Sequence, residues 1–132
     1  KGLRALTRVP LLRVRILGRV PTVGWEGGSV SKEIRCFNRL LVIGPGDVLA
    51  RFVDSSWENR LQARYTEWME NFRTRVACQF ETEAKPPLNE LTRLSSRWPR
   101  LAFLLDWEVE QERTRGLAKA KAGQLEQWST RF

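Results

Sequence analysis

The sequence predicts an α+β fold in which helices cover one face of a four-stranded, mainly antiparallel sheet, preceded by an extended basic N-terminal arm. Several short runs alternate apolar and polar residues, which is typical of half-buried strands. Other runs space their apolar residues three and four positions apart, as amphipathic helices do. Strands and helices mixed in this order, with paired strands at the end, favour helices on one face of a sheet.

One domain and one arm are expected. The chain has 132 residues, of which 42% are hydrophobic, and it contains six Trp and six Phe, a composition that predicts a folded core. Two prolines and five glycines exclude a long helix from the first 30 residues. The segment GWEGGS at 24–29 is the best candidate boundary. We therefore expect an arm over residues 1–30 and a domain over residues 31–132.

The first half of the domain is predicted to be a strand followed by helices. β-branched and apolar residues over 34–44 predict the strand, which leads into the turn GPGD, where Asp47 is expected to cap a helix. The helical spacing continues to residue 72, too far for one helix of ordinary length, so Ser55 or Ser56 is expected to cap a second one. The apolar residues at this spacing are Leu49, Phe52, Val53, Trp57, Leu61, Tyr65, Trp68, Met69 and Phe72.

The second half is predicted to contain three strands and one helix. Residues 76–81 alternate and predict a strand, and a helix is expected from Pro87 to just before Pro99. Residues 101–110 alternate most clearly, and residues 117–123 are expected to return as an antiparallel partner. Glu108 and Glu110 are expected to face Lys119 and Lys121 across this hairpin. The residues expected to face the core in these strands are Val76, Cys78, Phe80, Leu101, Phe103, Leu105, Trp107 and Val109.

The composition argues against catalysis. Histidine is absent, which removes the commonest general base and most zinc and iron sites. Cys36 and Cys78 lie far apart in strand-like runs, so buried free thiols are expected rather than a metal site or a disulfide. The acidic group Asp106, Glu108, Glu110 and Glu112 is interpreted as a solvated, charge-paired edge, with a metal or acid/base site as the alternative. We predict a protein that is not an enzyme, with no cofactor and no small-molecule substrate.

Basic residues are concentrated at the N-terminus. Residues 1–35 carry eight Lys and Arg and two Glu, out of a net charge of +8 for the whole chain. Such an arm points to a polyanion such as RNA, DNA or anionic lipid, with a merely solubilising tail as the alternative. The side chains expected to bind RNA phosphates or an anionic membrane surface are Arg4, Arg8, Arg13, Arg15 and Arg19.

The first residue is Lys1 and not Met, which suggests either a shortened chain or a mature form from which a leader was removed. An intracellular location is expected, in the mitochondrion if such a leader was an organellar targeting peptide.

Three segments of the domain resemble the YubB-type ferredoxin-like family, which comprises plasmid and phage proteins with no established activity. They are ENFRTRV at 70–76, FETEAKPP at 80–87, and the aromatic-Pro-x-Leu pattern that starts at Trp98, and CFNRLLVIGP at 36–45 also fits. The resemblance spans about residues 36–116 and implies a ferredoxin-like sandwich. The family-like segment contains Asn71, Thr74, Phe80, Thr82, Pro86 and Pro87. Arg73 stands where the family has Gly, which implies that any site there has been altered.

Together these patterns predict a non-enzymatic architectural subunit of a large assembly, in contact with neighbouring proteins. A ribonucleoprotein such as an organellar ribosome is expected, with the basic arm on RNA phosphates. The alternative is an accessory subunit of a mitochondrial membrane energy-converting complex, either a respiratory complex or ATP synthase. A third hypothesis is a free-standing protein of the plasmid and phage type.

Overall fold

The computed structural model describes residues 33–132, in which six strands form one antiparallel sheet with three short helices. The strand order across the sheet is β2-β3-β1-β4-β5-β6. A 3₁₀ turn at Glu110–Glu112 joins β4 to β5. In chain order the elements are β1 Arg35–Ile43, α1 Gly46–Val53, α2 Trp57–Leu61, β2 Arg64–Asn71, β3 Arg75–Glu83, α3 Leu88–Arg97, β4 Ala102–Val109, β5 Thr114–Lys121 and β6 Gln124–Arg131.

The predicted four-stranded ferredoxin-like sandwich is wrong, because two additional strands make the domain mostly β. Residues 64–71, predicted as part of a helix, form β2 and pair with β3. The helix before them ends where Gln62 adopts a left-handed conformation with φ 56°. Residues 124–131, for which no element was predicted, form β6 and pair with β5 along its whole length. The predicted arm over residues 1–30 lies outside the described residues.

Several local predictions are confirmed. Strands occupy Arg35–Ile43, Arg75–Glu83, Ala102–Val109 and Thr114–Lys121, and a helix occupies Leu88–Arg97. The core-facing residues predicted in β3 and β4, together with Leu101 just before β4, are buried.

Two finer predictions are wrong. Asp47 does not cap α1, which begins one residue earlier, after Pro45 and without a side-chain cap. Glu108 lies opposite Arg115 rather than a lysine, while Lys119 and Lys121 lie opposite Leu104 and Ala102.

An aromatic cluster joins the helices to the sheet. Phe52 of α1 stacks on Trp57 of α2, with ring centroids 5.6 Å apart, and meets Phe103 of β4 edge to face at 5.5 Å. Trp57 in turn contacts Trp68 of β2 and Phe80 of β3. Burying a side chain of this size contributes about 1.5–3 kcal/mol. These contacts hold the helices on one face of the sheet and leave the opposite face uncovered by any helix of the described residues.

Candidate interaction surface on the open face of the sheet

The open face, defined as the side of the sheet opposite the helices, is set by strand alternation. In β4, Phe103, Leu105 and Trp107 are buried against the helices, whereas Leu104 and Asp106 point the other way and are exposed. Successive side chains of a strand lie on opposite faces, and directly paired residues share a face. The strand registers therefore assign each residue of β1, β3, β4, β5 and β6 to one face or the other.

An apolar stripe crosses the open face and reaches the edge strand β6. Leu41 of β1 lies opposite Leu104 of β4, and Leu117 of β5 lies opposite Trp128 of β6. Leu104 and Leu117 are diagonal neighbours, because Leu104 lies opposite Lys119, two residues from Leu117. Exposure rises along the stripe, from 37% at Leu104 to 54% at Leu117 and 57% at Trp128. The side chains at the edge are therefore the most available for contact with another molecule.

Charges on both sides of the stripe are balanced in sign. Lys119 lies opposite Glu126, and Glu108 lies opposite Arg115. The guanidinium of Arg35 lies 3.7 Å from a carboxylate oxygen of Glu81. Facing residues of opposite charge contribute a few tenths of a kcal/mol and leave no strongly basic field. An apolar stripe within balanced charges is typical of a surface that binds protein rather than a polyanion.

The carboxyl group of Glu81 lies on this face and is partly buried. Burial raises the pKa of its carboxyl above the ordinary range, and the nearby Arg35 and Arg64 guanidinium groups partly oppose this effect. Its Oε1 atom is buried and accepts no hydrogen bond, so the ion pair at 3.7 Å compensates the burial incompletely.

The family-like residues do not form a single site. Asn71 and Thr74 are exposed at the turn between β2 and β3, where the Gly44 N–H donates to the Thr74 carbonyl at 3.1 Å. Thr82 lies eight residues further along an extended strand, about 26 Å from Thr74. Phe80, Thr82 and Pro87 are buried, and Pro86 is half-buried, at that opposite end of β3.

Arg73, at the position where the YubB-type pattern has glycine, lies against the β1–α1 turn. A Cβ added to Gly46 would come within 2.9 Å of the Arg73 Cγ and Nε atoms. The arginine stem thus occupies space beside the GPG turn, so this part of the segment packs against the fold.

Both cysteines are buried and unpaired, as predicted. Burial raises the pKa of the Cys36 thiol to about 11, against opposing hydrogen bonds from Thr82 and the Glu108 backbone. Burial also raises the pKa of the Cys78 thiol, and the charge of Glu58 adds to this effect. Because the thiolate is the reactive form, neither sulfur is a nucleophile at neutral pH.

The remaining predicted sites are in the arm: Arg4, Arg8, Arg13, Arg15 and Arg19 lie outside the described residues. Within residues 33–132, no group of three or more His, Cys, Asp or Glu side chains could hold a metal ion. None of the helices in this part of the chain is long and apolar enough to cross a membrane.

Sequence reasoning missed Leu117 and Trp128. The only signal was local, since Leu117 interrupts the otherwise basic side of the strand that carries Lys119 and Lys121. Trp128 had no such signal, because β6 itself was not predicted.

No family model matches the chain, and neither the curated proteins nor the solved structures give a significant match. The resemblance to the YubB-type family therefore depends on the motif residues alone and stays a prediction.

Proposed function

We propose that the protein is a non-enzymatic architectural subunit of a large ribonucleoprotein, such as an organellar ribosome. Its basic arm contacts RNA phosphates, and the open face of its sheet contacts a neighbouring protein. The observation that carries this proposal is the separation of charge. Residues 1–32 hold seven Lys and Arg and one Glu, whereas residues 33–132 hold sixteen basic and fourteen acidic residues.

With the charge separated in this way, the basic arm binds RNA and the open face of the sheet binds protein. RNA affinity comes largely from cations that neutralise phosphates and release counterions. A domain of net charge +2, which is what sixteen basic and fourteen acidic residues give, supplies little of that attraction. The arm supplies it, and the balanced open face is free to bind protein. Binding through phosphates fixes position without reading sequence.

A salt titration of single-stranded RNA binding by the full chain tests the arm. Replacing Arg4, Arg8, Arg13, Arg15 and Arg19 by Gln should weaken binding and reduce the slope of log K against log salt by about 3.5, because each phosphate contact contributes about 0.7. The matched control replaces five exposed arginines of the domain, namely Arg51, Arg60, Arg93, Arg97 and Arg100.

The control removes the same net charge and should leave the slope nearly unchanged. An equal loss of RNA affinity in both variants would show that only the total charge of the chain matters. A native chain that does not bind RNA would contradict the proposal.

An accessory subunit of a membrane energy-converting complex is the second candidate. It is favoured by the alternation of Leu12, Val14 and Ile16 with Arg13 and Arg15, which suits an anionic membrane surface. Sedimentation of the native assembly separates the two candidates. A ribonucleoprotein subunit leaves its particle after ribonuclease treatment, whereas a membrane subunit is released by detergent and not by ribonuclease.

A further inference from the structure

The two edges of the sheet differ in how well they are protected. At one edge, the register of β2 against β3 shifts twice, between Arg64 and Glu67 and between Trp68 and Glu70. Irregularities of this kind are a common protection of an edge strand against pairing. At the other edge, β6 keeps one register with β5 from Thr114↔Arg131 to Lys121↔Gln124. β6 contains no Pro, no Lys and no bulge, so among residues 33–132 this edge is regular and carries no strand, helix or bulge that blocks pairing.

Alternate residues of β6 form backbone hydrogen bonds with β5, and the remaining residues direct their backbone groups outward. The turn between β5 and β6 contains two residues, Ala122 and Gly123, both with positive φ, so Lys121 and Gln124 form a hydrogen-bonded pair. At the other end of β6, the Phe132 N–H donates to the Arg113 carbonyl at 2.8 Å, so Phe132 also bonds to the neighbouring chain segment as Gln124 does. Even-numbered residues of β6 therefore bond to β5. The N–H and C=O groups of Leu125, Gln127, Ser129 and Arg131 point away from it.

These outward groups form a free edge among the described residues. The single exception is the Arg131 carbonyl, which accepts a 3.3 Å hydrogen bond from the exposed Thr130 hydroxyl, a group that can rotate away. A row of unpaired backbone donors and acceptors is a template for another strand.

We propose that β6 pairs antiparallel with β6 of a second copy of this chain, on a two-fold axis at Trp128, to make one continuous sheet. This register places Gln127 opposite Ser129 and Leu125 opposite Arg131, in hydrogen-bonded pairs. It employs all four outward N–H groups and all four outward C=O groups of each copy, and so forms eight backbone hydrogen bonds. A typical protein interface contains about ten direct hydrogen bonds.

Side-chain chemistry favours a second copy in this register. Trp128 faces its own equivalent, so the apolar stripes of the two copies join through Leu117 and Trp128 on one face. Glu126 of one copy faces Thr130 of the other, and no two residues of like charge lie directly opposite each other along the strand pair. Trp128, whose side chain is 57% exposed in the single chain, lies at the centre of the interface.

Sedimentation velocity of the full chain, in high salt and across a dilution series, tests whether the dimer exists. The native chain should form a reversible dimer. Gln127→Pro removes an outward N–H without removing a bond to β5, and should give a monomer. Trp128→Lys should also give a monomer, because two ammonium groups would meet on the axis. Leu104→Lys adds the same charge to the open face two strands inward and should remain a dimer.

Circular dichroism of each variant shows whether it is folded. A native chain that is monomeric throughout, or a dimer that survives both Gln127→Pro and Trp128→Lys, would overturn the proposal.

Disulfide trapping tests the register directly, and buried Cys36 and Cys78 do not interfere. Trp128→Cys should cross-link two copies under mild oxidation, because a non-hydrogen-bonded pair has its Cα atoms about 4.5 Å apart, within disulfide reach. Glu126→Cys alone and Thr130→Cys alone should not cross-link, since each sulfur lies about 13 Å along the strand from its equivalent.

Mixing those last two variants should produce the mixed disulfide, because residue 126 faces residue 130 of the other copy. A dimer that traps at none of these positions has a different interface. These measurements contain no RNA, so their outcome tests the dimer without depending on the proposed function.

Discussion

The side-chain amide of Asn38 donates a hydrogen bond of 3.0 Å to the hydroxyl of Thr82, and both residues are buried. The same amide lies 3.3 Å from the Cys36 carbonyl and 3.5 Å from the Phe80 carbonyl. Thr82 in turn donates to the Lys85 carbonyl at 2.7 Å, which ties the loop before α3 to the sheet. This polar group lies inside an otherwise apolar core. Its members depend on one another, because a buried polar atom without a partner is costly.

Replacing Asn38 by Ala should lower the free energy of unfolding by about 2–3 kcal/mol, since it removes the amide bonds and leaves space in the core. Urea denaturation measures this change. Thr82→Val keeps the shape and should cost about 1–2 kcal/mol. The double variant should be less destabilised than the sum of the two, because both substitutions remove the same bond. Strict additivity would mean that the two side chains are not coupled.

Gly116 should not tolerate even a methyl group. It lies opposite Trp107, and a Cβ placed there would come within 2.5 Å of the indole Cζ2 atom and would also overlap the Trp128 carbonyl oxygen. Gly116→Ala should therefore lower the midpoint of thermal unfolding and cost about 1–3 kcal/mol. Lys119→Ala on the exposed side of the same strand should change stability by less than about 0.5 kcal/mol. If Gly116→Ala is no worse than this control, the indole does not lie over the glycine.

The two buried thiols should make the domain less stable at high pH. The unfolded chain loses a thiol proton at about pH 8.5, whereas the folded chain holds the Cys36 proton to about pH 11. Between these values the unfolded state binds fewer protons, so stability falls as pH rises, by about 1.4 kcal/mol per pH unit for each thiol.

Urea denaturation between pH 9 and 10.5 should show this slope, and Cys78→Ala should reduce it by about half. At pH 8 both thiols should react with a thiol reagent only after unfolding. Rapid reaction of the native protein would contradict their burial.

Glu81 should cost stability when it is ionised. Burial raises its pKa in the folded state, so the folded state holds the proton more tightly than the unfolded state, and stability is lost as pH rises through the folded pKa. Glu81→Gln should therefore match the native chain at pH 3 and be more stable at pH 7, by about 1 kcal/mol or less. Glu83→Gln, at the exposed end of the same strand, serves as the control. A loss of stability at pH 7 in Glu81→Gln would mean that the ion pair with Arg35 outweighs the burial.

Much of the core could be predicted from the sequence, because alternation records which face of a strand is buried. Phe103, Leu105 and Trp107 alternate with Leu104, Asp106 and Glu108, and only the first set is buried. Pro87 and Pro99 bracket α3 for a local reason, since proline constrains the backbone beside it.

The two missed strands depend on contacts that the local pattern does not contain. Tyr65, Trp68, Met69 and Phe72 have the spacing of a helix, but only Trp68 packs against the core, and the other three are exposed. The strand state of residues 64–71 comes from pairing with β3. For β6, the apolar residues Leu125 and Trp128 are three positions apart and show no alternation, so its conformation comes from pairing with β5.

The candidate surface was less predictable than the core for the same reason. Leu104 and Leu117 belong to one stripe only because β4 and β5 are adjacent in a particular register. A sequence pattern shows which residues share a side of a strand, but it does not show which strands are neighbours.

The position of β1 has a consequence for folding kinetics. This strand precedes the others described, yet it lies between β3 and β4, and its pairing joins Phe37 to Glu108. β4, β5 and β6 form a meander whose contacts are local, so they can form early and without β1. Insertion of β1 closes chain segments that range from 32 residues, at Ile43↔Arg75, to 71 residues, at Phe37↔Glu108, which makes it slow in comparison with hairpin formation. We expect the rate-limiting barrier to lie at the centre of the sheet, and the meander to be the first cooperative unit to become protected from hydrogen exchange.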